Sequence, residues 1–420
     1  MPRRRPDRID FLIDLTFGFN NQVRQQMRRF RVFSYFLLGG MLFGLATASA
    51  QDAPPSDILR AISERLPHHP HSGGTTFRPA PSEAINAPGE MQRFTMTLAT
   101  GTPSARSLPV LLDHRPEDAA APISLLTVLH RVTVDADGSP RAYHPEDPRG
   151  TGTCNAAAAP DGKMRYSGVC ALDNFFSGNI QVFHGAQKLR SADLASQWPS
   201  FWPLIRDKKL ASFDLKQFVP TAPDGYYFFY WKDQGLSAFF KRDIIPEAAD
   251  GFPCRHDGYF VAATTLKQAT TDPSNICAPS RFMDAEQIPF FVWPDDAFGN
   301  ARLGDIVVAR IETAKAHPIV YGIVGDTGPL AHLGEASIAF NQALLAKSNP
   351  IMNEHDVDAL DISGAPVAVM VLGGTRSRLN GNYSRQNIEA VGRREFARWN
   401  GDSSDPTRRF DAAVRQFGLD

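Results

Sequence analysis

The amino-acid sequence predicts a mainly β fold (β-rich α+β), and three observations carry that reading. Short apolar or alternating runs bounded by turn residues recur from Phe94 to about Phe340, at residues 125–134, 180–183, 226–231, 259–264, 290–293 and 306–311. Runs of this length, rich in Val, Phe and Tyr, fit strands of a packed β domain. Helical patterns are sparse, and no glycine fingerprint of a dinucleotide- or phosphate-binding loop stands where a strand would meet a helix.

The chain before this region reads differently. Residues 27–50, MRRFRVFSYFLLGGMLFGLATASA, have a basic start, an apolar middle and Ala48-Ser49-Ala50. That layout is expected of a secretory signal peptide, with residues 1–50 removed and Met27 a competing true start. The apolar middle is short for a membrane span. Residues 51–92, rich in Pro, Ser, His and Gly, read as a linker, interrupted by one helical patch at 58–66. Residues 93–420 are then expected to form a single domain with a C-terminal helix. His68, His69 and His71 lie in the linker and are read as solvated rather than metal-binding.

Within the domain, helices are expected at 191–197, around 336–346, and at 385–399. Ser384 can cap the last, whose Ile388, Val391, Phe396 and Trp399 recur at helical spacing. Residues 366–372, PVAVMVL, are long enough for a buried strand.

Charge and cysteine content narrow the setting. The leader holds 8 of the 44 Lys and Arg residues and 3 of the 45 Asp and Glu residues, leaving 36 against 42 and a net charge of −6. An acidic exported chain argues against a nucleic-acid partner and for a neutral or cationic one. The four cysteines, Cys154, Cys170, Cys254 and Cys277, suit two disulfides. The expected pairs are Cys154 with Cys170 and Cys254 with Cys277, each closing a local loop. Their dispersion argues against zinc, and neither a metal nor another cofactor is expected.

The most informative stretch is residues 320–340, VYGIVGDTGPLAHLGEASIAF. It places Asp326 and Glu335 at the two ends of a loop marked by Gly325, Gly328, Pro329 and Gly334, between two apolar flanks. Strand, tight turn, strand is the expected local structure. Two carboxyls presented this way suit acid/base chemistry, and glycoside hydrolysis needs only two acids. Asp326-Thr327-Gly328 also invites an aspartic-protease reading. That reading requires a second copy, and the nearest is the mismatched Asp361-Ile362-Ser363-Gly364. Two turn acids with no chemistry form the plain alternative.

The segment GDTGPLAHLGEASIA, residues 325–339, resembles the catalytic signature of glycoside hydrolase family 75, the fungal and bacterial endo-chitosanases. A second segment, VDADGSPRAYHP at residues 134–145, resembles an Asp-x-Asp-Gly stretch of the same family, although Ala136 stands where fungal members have cysteine. Residues 288–292 echo it more weakly, and the likeness spans about residues 129–372. The resemblance implies an inverting hydrolase of chitosan, or of a related amino-sugar polysaccharide, with Asp326 and Glu335 as its two acids. The order adopted, Glu335 as general acid and Asp326 as general base, leans instead on a fainter likeness to lytic transglycosylases, and the reverse order stays open. The family resemblance places Asp135, Asp137, Tyr143 and His144 in substrate binding. Asp135 and Asp137 equally suit a turn held by Asp side chains, since an EF-hand register would put His144 where calcium needs glutamate. A fainter likeness of the Asp-Thr-Gly loop to lytic transglycosylases implies a six-stranded double-psi-like β-barrel core with peripheral helices. The protein is expected to be secreted or periplasmic, free of membrane and monomeric. The functional alternatives are a non-catalytic envelope- or carbohydrate-binding protein and the protease.

Overall fold

The computed structural model describes residues 76–79, 91–98, 106–113, 124–175, 180–184, 187–188, 198–199, 202–203, 206–207, 226–230, 244–246, 248–249, 253–269, 272, 274–294, 301–313, 315, 317–328, 333–401 and 404–419. The expected signal peptide, the helical patch at 58–66, the His68–His71 cluster and the helix at 191–197 lie outside these residues.

The protein is mainly β, and its centre is a closed, mixed six-stranded barrel. The barrel strands are β1 (Ser124–Asp135), β2 (Phe290–Pro294), β3 (Ile306–Ile311), β4 (Val320–Gly328), β5 (Glu335–Ser337) and β6 (Ile362–Leu372). Around the barrel they run β1-β5-β2-β4-β3-β6, and β6 closes the ring by pairing with β1 from Ile362↔Val132 to Val371↔Leu125. The pairs β1–β5 and β2–β4 are parallel, and the other four are antiparallel. Beyond the ring, Arg106–Asp113 pairs with β1, Gln92–Leu98 with that strand, and Thr76–Pro79 with Gln92–Leu98. The stretch expected to be a linker therefore includes a strand.

Alternation along the strands separates two apolar clusters, as a period of two requires. One draws on all six strands, with Leu129, Ala336, Phe291, Val307, Val324 and Val369 among its members, together with Phe340 and Leu344. This cluster is the barrel interior. The other takes the alternate residues, such as Phe290, Val292, Val308, Ile323 and Met370, and packs them under helices.

Four peripheral helices are described: α1 (Ile338–Leu344), α2 (Glu354–Asp358), α3 (Arg385–Asn400) and α4 (Arg408–Arg415). Ser384 caps α3 by accepting from the Asn387 N–H, and Gly401 at φ 85° ends it. Its Ile388, Val391, Phe396 and Trp399 face the outer cluster, as their spacing predicts. Gly392 lets α3 settle on β4, because a Cβ there would lie 2.7 Å from the Tyr321 ring.

Two local expectations around the acid loop are corrected. Asp326 and Glu335 do not sit on a simple strand-turn-strand: β2 lies between β4 and β5 and pairs with both. The apolar run after Glu335 is not a strand beyond Ser337. Ser337 turns the chain into α1, its hydroxyl accepting from the Phe340 N–H while also accepting from Phe290 N–H and donating to the Ile288 carbonyl. A residue tied to three backbone groups ends the strand there.

Both expected disulfides are present, Cys154–Cys170 and Cys254–Cys277. The first staples the base of an exposed hairpin, Cys154–Ala158 against Met164–Gly168.

Candidate functional site

A register shift aims the first acid. Phe290 pairs with Ile323 and Phe291 with Val324, but Val292 pairs with Asp326, so Gly325 is an unpaired extra residue. Without it, Asp326 would follow Val324 into the barrel interior. With it, Asp326 shares the side of Val292, the outer face, as β-bulges do when they redirect a side chain. Glu335 reaches that face by ordinary alternation, and Asp135 does so because alternation along β1 shifts between Leu129 and Val132, both interior. Glu335 and Ser337 flank the interior residue Ala336, and β5 pairs with β1 as Glu335↔Thr133 and Ser337↔Asp135.

The two resembling motifs thus meet. Carboxylate oxygens of Asp135, Asp137 and Asp326 lie within 4.8 Å of one another, and Glu335 is near enough to act on Asp135 electrostatically. These three aspartates are the set, among the described residues, whose spacing would admit a small cation. Asp326 and Glu335 stand two strand steps apart across β2, ~10 Å between backbones at the usual inter-strand spacing.

Each acid has a distinct environment. Burial, then the charges of Asp137, Asp326 and Glu335, push Asp135 well above the usual carboxylate range, and the Asp137 N–H bond only partly offsets them. Asp135 therefore favours its protonated form. Asp326 is opposite in character: its Oδ1 accepts from the Thr265 N–H at 2.9 Å, the Thr265 hydroxyl at 2.6 Å and the Thr327 N–H at 2.7 Å. Three donors on one oxygen favour the ionised form. Glu335 is half-buried at the head of β5.

The Asp135–Gly138 turn is built around its glycine. Asp135 Oδ1 accepts from the Asp137 N–H at 2.9 Å, and Ser139 N–H closes on the Ala136 carbonyl. Gly138, at φ 86°, passes so close to Met283 that a Cβ would lie 2.0 Å from its carbonyl oxygen. The turn reading of this motif is therefore realised, and the turn sets Asp135 and Asp137 beside Asp326.

Tyr143 belongs to the cluster. Its hydroxyl lies 2.7 Å from Asp137 Oδ1 and 3.2 Å from Asp173 Oδ2, so two carboxylates share one phenolic proton. Burial and then the charges of Asp137, Asp173 and Asp135 raise its pKa well above the usual phenol value. His144 makes other contacts. Its Nδ1 accepts from Glu146 N–H at 3.1 Å, and its ring meets Tyr259 edge-on. Burial lowers its pKa.

Thr265, Thr327 and Asp173 were not legible as site residues. Thr265 is 61 positions from the acid it touches, and a Thr-Thr pair after an apolar run carries no motif. Asp173 follows the buried segment 170–172, whose Leu172 N–H bonds the Arg141 and Ala142 carbonyls.

No family model matches the chain, and no curated protein matches it. Among the described residues no helix is long and apolar enough to cross a membrane.

Proposed function

We propose that the protein is an exported endo-chitosanase that hydrolyses β-1,4 glucosamine linkages with inversion. The observation that carries the reading is the convergence of its two motifs: Asp326 and Glu335 from residues 325–339, and Asp135 and Asp137 from residues 134–145, share one face of the barrel. The two disulfides suit the oxidising compartment that an exported enzyme enters.

The mechanism follows from the environments. Asp326, kept ionised by three donors, takes a proton from the attacking water. Glu335, half-exposed across β2, delivers a proton to the leaving glycosidic oxygen. An inverting pair needs its carboxyls about 6.5–9.5 Å apart to admit that water, which a separation of two strand steps accommodates. The anomeric carbon exchanges its bond to the leaving oxygen for one to water on the opposite face. Ammonium groups of neighbouring glucosamine units would pair with the acid-rich face.

The test is release of reducing ends from highly deacetylated chitosan by the mature protein, beside Asp326→Asn and Glu335→Gln. Activity lost in both variants supports the reading, and an α-anomeric product by proton NMR supports inversion. Chitosan binding without cleavage would replace it with the non-catalytic alternative. The protease reading has little support, because the expected second aspartate, Asp361, accepts from Val134 N–H at 2.9 Å and lies 3.9 Å from Arg131.

A further inference from the structure

We infer that Thr265 is a positioning residue for Asp326: its hydroxyl fixes the orientation of the carboxylate and holds it in the form that accepts a proton. The inference rests on the reading of Asp326 as general base. It stands on the geometry of one loop lying across the bulge.

The loop is anchored without the Thr265 hydroxyl. Thr264, the preceding residue, is buried, with its Oγ accepting from Met283 N–H at 3.0 Å and donating to the Leu266 carbonyl at 2.8 Å. Leu266 N–H then donates to the Gly325 carbonyl at 3.1 Å, pinning the loop to the extra residue of the bulge. Thr265 itself is exposed. Its hydroxyl lies 2.6 Å from Asp326 Oδ1 and 2.8 Å from the Thr327 hydroxyl. One hydroxyl proton goes to the charged oxygen, and the Thr327 hydroxyl can donate to Thr265 in turn, a short relay that ends on the carboxylate. Loop anchoring and the hydroxyl's hold on the acid therefore reside in different side chains, and substituting Thr265 removes only the second, leaving the Thr265 and Thr327 N–H bonds to Asp326 in place.

Hydrogen bonds to the charged form of an acid lower its pKa. Thr265→Val keeps the side-chain shape and removes the donor, while Thr265→Ser keeps the donor. The expected result for Thr265→Val is a kcat lowered ~10-fold, as for loss of a hydrogen bond to a charged group, with KM unchanged. The acid limb of its pH profile moves up by ~1 unit. Thr265→Ser restores both to within about twofold of the parent, because its hydroxyl supplies the same bond. Carbon-detected NMR titration of the Asp326 carboxyl, which requires no substrate, should show the same upward shift in Thr265→Val alone. An unmoved Asp326 titration in Thr265→Val overturns the inference, as does a Thr265→Ser protein that titrates and turns over like the valine variant. If the parent protein cleaves no chitosan, the functional reading fails, while the titration still decides whether Thr265 holds the acid.

Discussion

Gly325 and Phe290 are in contact so close that a Cβ on the glycine would lie 2.4 Å from the Phe290 Cβ. The contact exists because Gly325 is the residue that the β2–β4 register skips. The absent side chain permits the tight passage over Phe290, and the extra residue itself gives the outward aim of Asp326. Gly325→Ala forces either Phe290 or the bulge to move. Overpacking of this kind costs about 1–3 kcal/mol, read as a lower urea midpoint with an unchanged slope. Because the bulge aims the acid, activity on chitosan should fall further than the lost stability explains, when both are measured well below the unfolding midpoint.

The two acids should fail separately and not add. Removal of a positioned general acid or base lowers rates typically 10²–10⁴-fold. Asp326→Asn and Glu335→Gln are each expected in that range. The double variant should be little worse than either alone, as for groups acting as one unit. Strictly multiplicative losses in kcat would argue that the two carboxyls do not act in one step.

Much of this arrangement was legible before any coordinates. Residues 306–311 carry an apolar run interrupted only by Arg310 and are a barrel strand at those bounds. Ser384 and the spacing from Ile388 to Trp399 marked α3 because capping and amphipathic period are local properties. The disulfide pairs followed from loop closure. What was not legible is what depends on distant partners. Asp326 and Glu335 read as ends of one turn because β2, which separates them, comes some thirty residues earlier in the chain. Residues 337–340 read both as an apolar strand leading out of the loop and as part of a helix around 336–346. The helix is the one that forms, because Ser337 ends the strand through bonds to Ile288 and Phe290. Residues 354–358 and 408–415 form helices that were not anticipated. The first is one short turn, and the second spans only eight residues, so its buried Phe410, Ala413 and Val414, though helically spaced, fill too short a window to mark a helix by period alone.

The Cys154–Cys170 bridge supports the site at one remove. It closes a separation of 16 residues, for which chain-entropy arguments give about 3 kcal/mol. The hairpin it closes is mostly exposed, yet Tyr166 on it seats the Arg141 guanidinium, 3.6 Å from the ring centroid. Arg141 in turn pairs with Glu286 and donates to the Cys170 and Ile351 carbonyls. Replacing both cysteines by serine should lower the thermal midpoint and speed amide exchange in residues 154–168. Barrel strands such as residues 306–311 should keep their protection. Equal loss of protection in both regions would show that the hairpin is not a separate unit.

A final prediction concerns Asp284, which sits next to this ion pair. Burial and then the Glu286 charge raise its pKa from 3.8 to about 7, against bonds from Glu286 N–H and the Gln287 side chain. A carboxyl whose folded pKa exceeds its unfolded one binds more protons when folded. Its contribution to stability is therefore greatest below about pH 4 and declines as pH rises toward 7, then levels off. At 1.36 kcal/mol per unit the decline is about 4 kcal/mol at most. Asp284→Asn removes the titration while keeping an amide oxygen for the Glu286 N–H. Relative to the parent, it should gain stability between pH 4 and pH 8 in chemical denaturation, and the gain should flatten above pH 8. Asp135 titrates in the same direction, so the parent's own decline persists in part in the variant. Parallel pH-stability curves for the two proteins would show that Asp284 titrates near its ordinary value.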